Sequence, residues 1–179
     1  FNDIRDLLRQ KIDDINQTTS FNDVRNLLIL SMMILSVPLK LLQYTKMTIN
    51  FVNSDSNYIK NFLLEDINGN YFVKSGDISI KINDKHLIKL IKLWINEYND
   101  TKHFFIQTEN SKTGMNNKQI GLALSIASKQ YIGETLSNAD IRSLYMKNLM
   151  DLDPSFKEKI QISALLGYKN NNTLELHKV

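Results

Sequence analysis

Cysteine is absent from this chain of 179 residues, and histidine occurs only 3 times. The absence of cysteine excludes disulfide bonds, thiolate metal sites and cysteine nucleophiles, and it is typical of an intracellular, reducing compartment. His86, His103 and His177 are isolated in sequence, so they do not suggest a metal cluster. The chain also lacks a glycine-rich phosphate loop and a His-Glu-x-x-His motif. We therefore expect neither a metal nor another cofactor.

A strong charge of one sign is also missing. The net charge is +3, and residues 102–179 carry it, with 10 basic and 7 acidic side chains. Residues 1–101 are balanced, with 12 of each. A modest basic excess in one part of a chain is compatible with a surface that faces nucleic acid, although many solvated surfaces share it.

No apolar run is long enough to cross a membrane. The most apolar stretch, Leu27–Leu42, is interrupted by Ser31, Ser36, Pro38 and Lys40. It is shorter than the roughly 20 residues that a membrane span requires. We therefore interpret it as a buried helix and expect no membrane partner.

The remaining patterns predict a single α+β domain in which helices dominate. Residues 1–46 are predicted to form N-terminal helices, with Pro38 starting or kinking a short one that runs to about Lys46. Residues 47–83 predict a small three-stranded antiparallel sheet, because short β-type runs alternate with Asn-Gly and Ser-Gly turns. Residues 84–179 predict further helices, at about 84–95, 116–130, 138–150, 156–166 and 171–177.

The C-terminal part carries the most specific pattern. It reads NADIRSLYMKNLM from Asn138, and later an apolar helix ends in Leu166-Gly167 followed by Tyr168. This resembles the catalytic domain of tyrosine recombinases, the phage-type integrases, in which His-x-x-Arg precedes a helix ending in Leu-Gly-His and a nucleophilic tyrosine. The order of helices, small sheet and helices resembles that domain over nearly the whole chain. The family's usual N-terminal DNA-gripping domain is not found in it.

The resemblance implies a site with several substitutions. Arg142 matches the motif arginine, whereas Ala139 and Tyr168 stand where the family has histidines. His177 stands where the nucleophilic tyrosine is expected. Lys40, in VPLK after the apolar helix, looks like the replacement for the family's first arginine.

The family's catalytic lysine lies on a hairpin of the sheet. Lys74 in YFVKSGDISI matches it best, and Lys81 is the other candidate. If the resemblance holds, Lys40, Lys74, Arg142 and Tyr168 line one cleft and bind DNA phosphate.

Each residue also has a plainer interpretation. Lys40 fits a lysine that snorkels to solvent from the end of a buried helix, and Lys74 fits a solvated lysine on a hairpin. Arg142 fits a surface arginine paired with Asp140 or Asp151. Tyr168 fits an aromatic cap on the helix before it. Tyr145, three residues after Arg142, fits a core aromatic better than a nucleophile.

Three functions are consistent with this pattern. The leading hypothesis is a DNA-binding or architectural protein that derives from a tyrosine recombinase and has lost strand cleavage. The second is an active, divergent integrase whose nucleophile lies outside these residues. The third is a viral structural or assembly protein that reuses the fold. The expected partner is double-stranded DNA, with a homo-oligomer or a viral assembly as further alternatives. The expected location is a host cytoplasm or nucleus, or a virion.

Overall fold

The structure of the chain is a computed structural model. It describes residues 1–16, 19–51, 61–66, 68–75, 78–99, 101–111, 113–151, 160, 162 and 166. The described elements are α1 (Asn2–Asp13), α2 (Phe21–Ile34), α3 (Leu41–Thr45), β1 (Thr48–Phe51), β2 (Asn61–Glu65), β3 (Tyr71–Ser75), β4 (Ile78–Lys81), α4 (Lys85–Leu93), α5 (Asn117–Ile132) and α6 (Asn138–Asp151). A π-helical turn, Trp94–Tyr98, continues α4.

Helix α2 forms the centre of the core. All of its residues from Asn26 to Ile34 are buried, because apolar side chains lie on every face of the helix. Helices α1, α4, α5 and α6 all pack against it. The first half of the predicted run, Leu27 to Ile34, is therefore a buried helix that organises the fold. The prediction was wrong for residues 35–40, which are not helical.

Short polar segments fix where the helices begin. Ser20 caps α2 by accepting a hydrogen bond from the backbone N–H of Asp23, at 3.2 Å. Asp84 caps α4 in the same way, at the predicted start of this helix. Asn116 begins α5, which ends at Gly133 with a left-handed backbone (φ +89°). These capping residues set the starts of α2, α4 and α5 and the end of α5.

The sheet has four strands rather than the predicted three, in the order β1-β2-β3-β4. Strands β2, β3 and β4 are antiparallel neighbours and correspond to the small three-stranded antiparallel sheet that was predicted within residues 47–83. Strand β1 pairs with β2 in parallel. Parallel strands are not joined by a hairpin, so the sequence contains no turn signal that would indicate this pairing. On its other side, the backbone N–H of Ile49 donates to the carbonyl of Lys102 at 2.9 Å. The prediction was wrong about this strand because a parallel pairing leaves no local signal.

The short helix after α2 also begins later than predicted. Pro38 lies in a non-helical stretch, and α3 runs only from Leu41 to Thr45. The backbone of Lys40 is extended (φ −66°, ψ 148°), and its N–H donates to the Gln43 side chain at 2.8 Å. Pro38 therefore neither starts nor kinks this helix. The predicted helix at 156–166 is described only at Ile160, Ile162 and Leu166, which are helical, and 171–177 lies outside the described residues.

Candidate functional site

Lys40 occupies the N-cap position of α3 and is exposed to solvent. The residue before it, Leu39, is fully buried. The chain therefore reaches the protein surface at Lys40, directly after the buried Leu39. This geometry holds the start of the lysine side chain in a defined place.

Tyr44 holds this turn from inside the protein. Its buried hydroxyl accepts the N–H of Leu39 at 3.2 Å and donates to the carbonyl of Val37 at 3.5 Å. Burial raises the pKa of Tyr44 well above its usual value, while the nearby charge of Arg142 acts to lower that pKa. The phenol is therefore neutral and serves as a structural link, and Arg142 lies close enough to influence it.

The start of α6 is joined directly to the Lys40 turn. Asn138 donates its side-chain N–H to the carbonyl of Leu39 at 2.9 Å. Arg142 follows four residues later, on the same face of the helix. Ser137 and Asp140 bond each other at the beginning of α6, with the N–H of Ser137 donating to the Asp140 carboxylate at 2.8 Å. The structure thus brings the segments of Lys40 and Arg142 side by side.

Arg142 is half-buried, and one of its terminal nitrogens donates to the carbonyl of Leu166. Ile141 and Met146 are fully buried and anchor α6 around it. Leu166 is two residues before Tyr168 in sequence, so the arginine lies beside the segment that leads to the predicted Tyr168 position. Tyr168 and His177 themselves lie outside the described residues.

Lys74 lies within β3, opposite Ser79 of β4 and Phe62 of β2. The side chains of a strand alternate between faces, so Lys74 and Lys81 share one face while the buried Val73 faces the core. Both candidate lysines therefore project from the sheet face that is directed away from the core. Their convergence with Lys40 and Arg142 stays a prediction.

Tyr145 is packed rather than activated. Its ring meets that of Phe1 edge-on, with the ring centroids 6.4 Å apart. Burial raises its pKa, against a smaller lowering by Arg5. A nucleophilic phenol would need the opposite environment, since the phenolate is the attacking form. The structure supports the interpretation of Tyr145 as a packing aromatic.

A second polar feature, which we call the α1–β4 cleft, includes Lys81 and Tyr145 from the sequence analysis, but no sequence motif predicted the cleft itself. It has a volume of about 480 Å³ and is lined by residues of α1, β4 and the start of α4, with Tyr145 of α6 on its wall. Its charged side chains include Arg5, Arg9, Lys81, Asp84 and Lys85. Because Arg5 and Arg9 lie far in sequence from Lys81, Asp84 and Lys85, no single motif marks the group.

Two further observations limit the chemistry of the described residues. Among them, no three histidine or acidic side chains are grouped closely enough to hold a metal ion. None of the helices in the described ranges is both long and apolar enough to cross a membrane.

Comparison with known proteins bears on the fold. No family model matches the chain, and no curated protein matches it. A solved structure, the crystal structure of XerA recombinase, matches over 100% of this chain with a TM-score of 0.63 and 14% sequence identity. The chain spans 59% of the length of that structure. The recombinase-like fold that the sequence predicted is confirmed, and at this identity the likeness concerns the fold alone: the chain has a mostly helical fold with a small sheet, similar to that of XerA recombinase.

Proposed function

We propose that this protein binds double-stranded DNA through the surface around Lys40 and Arg142, and that it does not cleave the strand. The observation that carries the proposal is the hydrogen bond from Asn138 to the Leu39 carbonyl, at 2.9 Å. It joins the two segments that supply the cations at the positions of the family's two arginines. The similarity to XerA recombinase supports DNA as the partner.

The two cations suit phosphate binding without catalysis. Lys40 offers a point charge at an exposed helix start, where it attracts a backbone phosphate but does not grip two of its oxygens. Arg142 retains a planar fork, yet one of its nitrogens already donates to the Leu166 carbonyl. Such a pair neutralises phosphate charge and positions the duplex. It is poorly suited to clamp a pentacoordinate transition state.

The residues at the other family positions argue against strand cleavage. Tyrosine recombinases form a phosphotyrosine ester, and the expected nucleophile position holds His177. The two motif histidines are replaced by Ala139 and Tyr168. A lysine on the hairpin, Lys74 or Lys81, still offers a general acid, but an acid without a nucleophile does not open the covalent route.

The test is a titration of a fluorescent duplex followed by anisotropy. We expect the wild-type chain to bind at low salt and to weaken as salt rises, since neutralised phosphates release counterions. Lys40→Gln should weaken binding severalfold. The matched control is Lys129→Gln, an exposed lysine near the far end of α5.

The outcomes separate the candidate functions. Equal losses of duplex affinity in Lys40→Gln and Lys129→Gln would show that the total charge matters and its position does not. This result would contradict the assignment of DNA binding to the surface around Lys40 and Arg142. No binding of the duplex at low salt would favour the assembly-protein hypothesis.

A further inference from the structure

The α1–β4 cleft concentrates positive charge. Four of its lining side chains, Arg5, Arg9, Lys81 and Lys85, are cationic at neutral pH, and Asp84 is its one lining carboxylate. Its volume of about 480 Å³ admits a small oxyanion with its remaining water. A cavity with this charge balance favours an anionic ligand.

The carboxylate in the cleft is already compensated by the fold. One oxygen of Asp84 accepts the backbone N–H groups of His86 at 3.1 Å and Leu87 at 3.0 Å. The other oxygen accepts a hydrogen bond from Nε of Arg9 at 2.9 Å, and the Asp84 side chain is only 8% exposed. Arg9 also pairs with Asp6 at 2.6 Å. Asp84 and Arg9 therefore form the frame of the cleft and contribute little net charge to its opening.

Arg5 is held in place through its Nε, so its two terminal nitrogens can face a ligand. Its Nε donates to the carbonyl of Ile34 at 3.1 Å, and its guanidinium carbon lies 5.2 Å from the centre of the Phe1 ring. Within the described part of the chain, neither terminal nitrogen of Arg5 donates a hydrogen bond. Two parallel N–H groups on a half-buried arginine match the spacing of two oxygens of one phosphate.

The remaining polar groups surround this fork. Lys81 ends β4 and Lys85 begins α4, and both are exposed at the rim of the cleft. Tyr145 lines the wall, and its phenol is a hydrogen-bond donor in its neutral form. The four side chains belong to four different elements: Arg5 to α1, Lys81 to β4, Lys85 to α4 and Tyr145 to α6. The tertiary fold therefore brings them together.

We propose that the α1–β4 cleft binds a phosphate group, with Arg5 as the bidentate donor and Lys81 and Lys85 as the rim charges. This goes beyond the proposed function, because it needs neither Lys40 nor Arg142 and stands if their surface binds nothing. Lys81, the alternative hairpin lysine, serves in this proposal as a phosphate-binding charge. The phosphate belongs either to a nucleic-acid backbone or to a free phosphorylated molecule, and the chemistry of recognition is the same for both.

The first measurement is an NMR titration of the labelled chain with inorganic pyrophosphate. We expect saturable shifts of the Arg5 Nε–H and of the backbone amides from Lys81 to Lys85. The double variant Lys81→Gln with Lys85→Gln should weaken this binding at least fivefold. Arg5→Lys, which keeps the charge and loses the fork, should weaken it as well.

The matched control removes two exposed lysines elsewhere, Lys102→Gln with Lys129→Gln. Lys102 lies beside β1, at the opposite edge of the sheet from β4. We expect this control to bind pyrophosphate like the wild type, with both double variants unfolding at the same temperature. Equal weakening in the two double variants would overturn the proposal.

A second arm uses a short DNA duplex, with Lys40→Gln measured beside the cleft variants. If the phosphate belongs to DNA, the cleft double variant weakens duplex binding and lowers the salt slope by about 0.9 for each phosphate that the protein no longer neutralises. If pyrophosphate binds in the cleft and duplex affinity is unchanged, the site serves a free phosphorylated molecule and the proposal stands. No shift at the cleft with either probe overturns it, whatever Lys40→Gln does.

Discussion

Asn138 and Leu39 are far apart in sequence, yet the side chain of Asn138 donates to the carbonyl of Leu39 at 2.9 Å. This bond ties the first turn of α6, which carries Arg142, to the turn that ends at Lys40. Tyr44 secures the same turn from the buried side by accepting the N–H of Leu39. The relative position of Lys40 and Arg142 therefore depends on two polar side chains that need not touch a ligand.

Replacing Asn138 tests this linkage. Asn138→Ala leaves the Leu39 carbonyl without its side-chain donor, and we expect a loss of about 1 kcal/mol in the free energy of unfolding. Duplex affinity should fall as well, because the two cations are no longer held together. Urea unfolding and anisotropy measure the two effects. The control is Asn117→Ala, an exposed position in the first turn of α5. Unchanged stability and affinity in Asn138→Ala would refute the linkage.

The hydroxyl of Tyr44 provides a second test. Tyr44→Phe removes both of its hydrogen bonds, and we expect it to cost about 1–2 kcal/mol of stability at neutral pH. Because burial raises the pKa of Tyr44 in the folded state, its contribution is fully present below the unfolded pKa of about 10 and is lost as pH rises through the folded pKa. The variant should therefore lose less stability than the wild type above pH ~10. The variant should still lose some stability at alkaline pH, because the pKa values of Tyr71 and Tyr131 are also raised. Identical alkaline profiles of the two proteins would contradict this role.

Asp140 gives an acid-side prediction. Its hydrogen bonds with Ser137 hold the pKa of the Asp140 carboxyl below its usual range. A lowered folded pKa means that this contribution is present above the unfolded pKa of about 3.9 and is lost as pH falls through the folded value. Asp140→Asn should be less stable than the wild type at neutral pH, and the difference should shrink below pH ~4. Denaturant unfolding at several pH values measures it, and a difference that does not vary with pH would show that the carboxylate does not cap α6.

Arg142 serves both the fold and the proposed interface. Arg142→Ala should weaken binding of duplexes of unrelated sequence by a similar factor, since a phosphate contact carries no sequence information. It should also lower stability, because the Leu166 carbonyl loses its donor. Arg142→Lys keeps the charge and separates the two effects, and we expect its affinity to lie between those of the wild type and the alanine variant. Losses that depend strongly on the duplex sequence would point to base contacts instead.

Local signals in the sequence were sufficient for much of the fold. The apolar residues of α2 and the start of α4 near Asp84 could be predicted because hydrophobic periodicity acts over a few residues. Strand β1 was missed because it pairs in parallel across a long connection. The non-helical stretch before α3 was missed because its geometry depends on the buried Tyr44 hydroxyl, which is a tertiary contact.

The candidate site was predictable only in part. Family likeness singled out Lys40 and Arg142, but their connection through Asn138 and Leu39 has no counterpart in sequence spacing. The bond from Arg142 to Leu166 is equally non-local. The α1–β4 cleft could not be found from the sequence, since its cations belong to separate elements and each one alone resembles an ordinary surface charge.

The most direct test of the central claim, DNA binding without strand cleavage, uses a nicked suicide duplex that traps covalent recombinase adducts. The same incubation is run on a native gel and on a denaturing gel. We predict a shifted complex on the native gel and no protein–DNA adduct on the denaturing gel, both for the wild type and for His177→Tyr, because Lys40 still presents a point charge where a planar fork is needed. A covalent adduct that maps to any residue of 1–179 of the wild-type chain, or the absence of any native complex at low salt, would contradict the account.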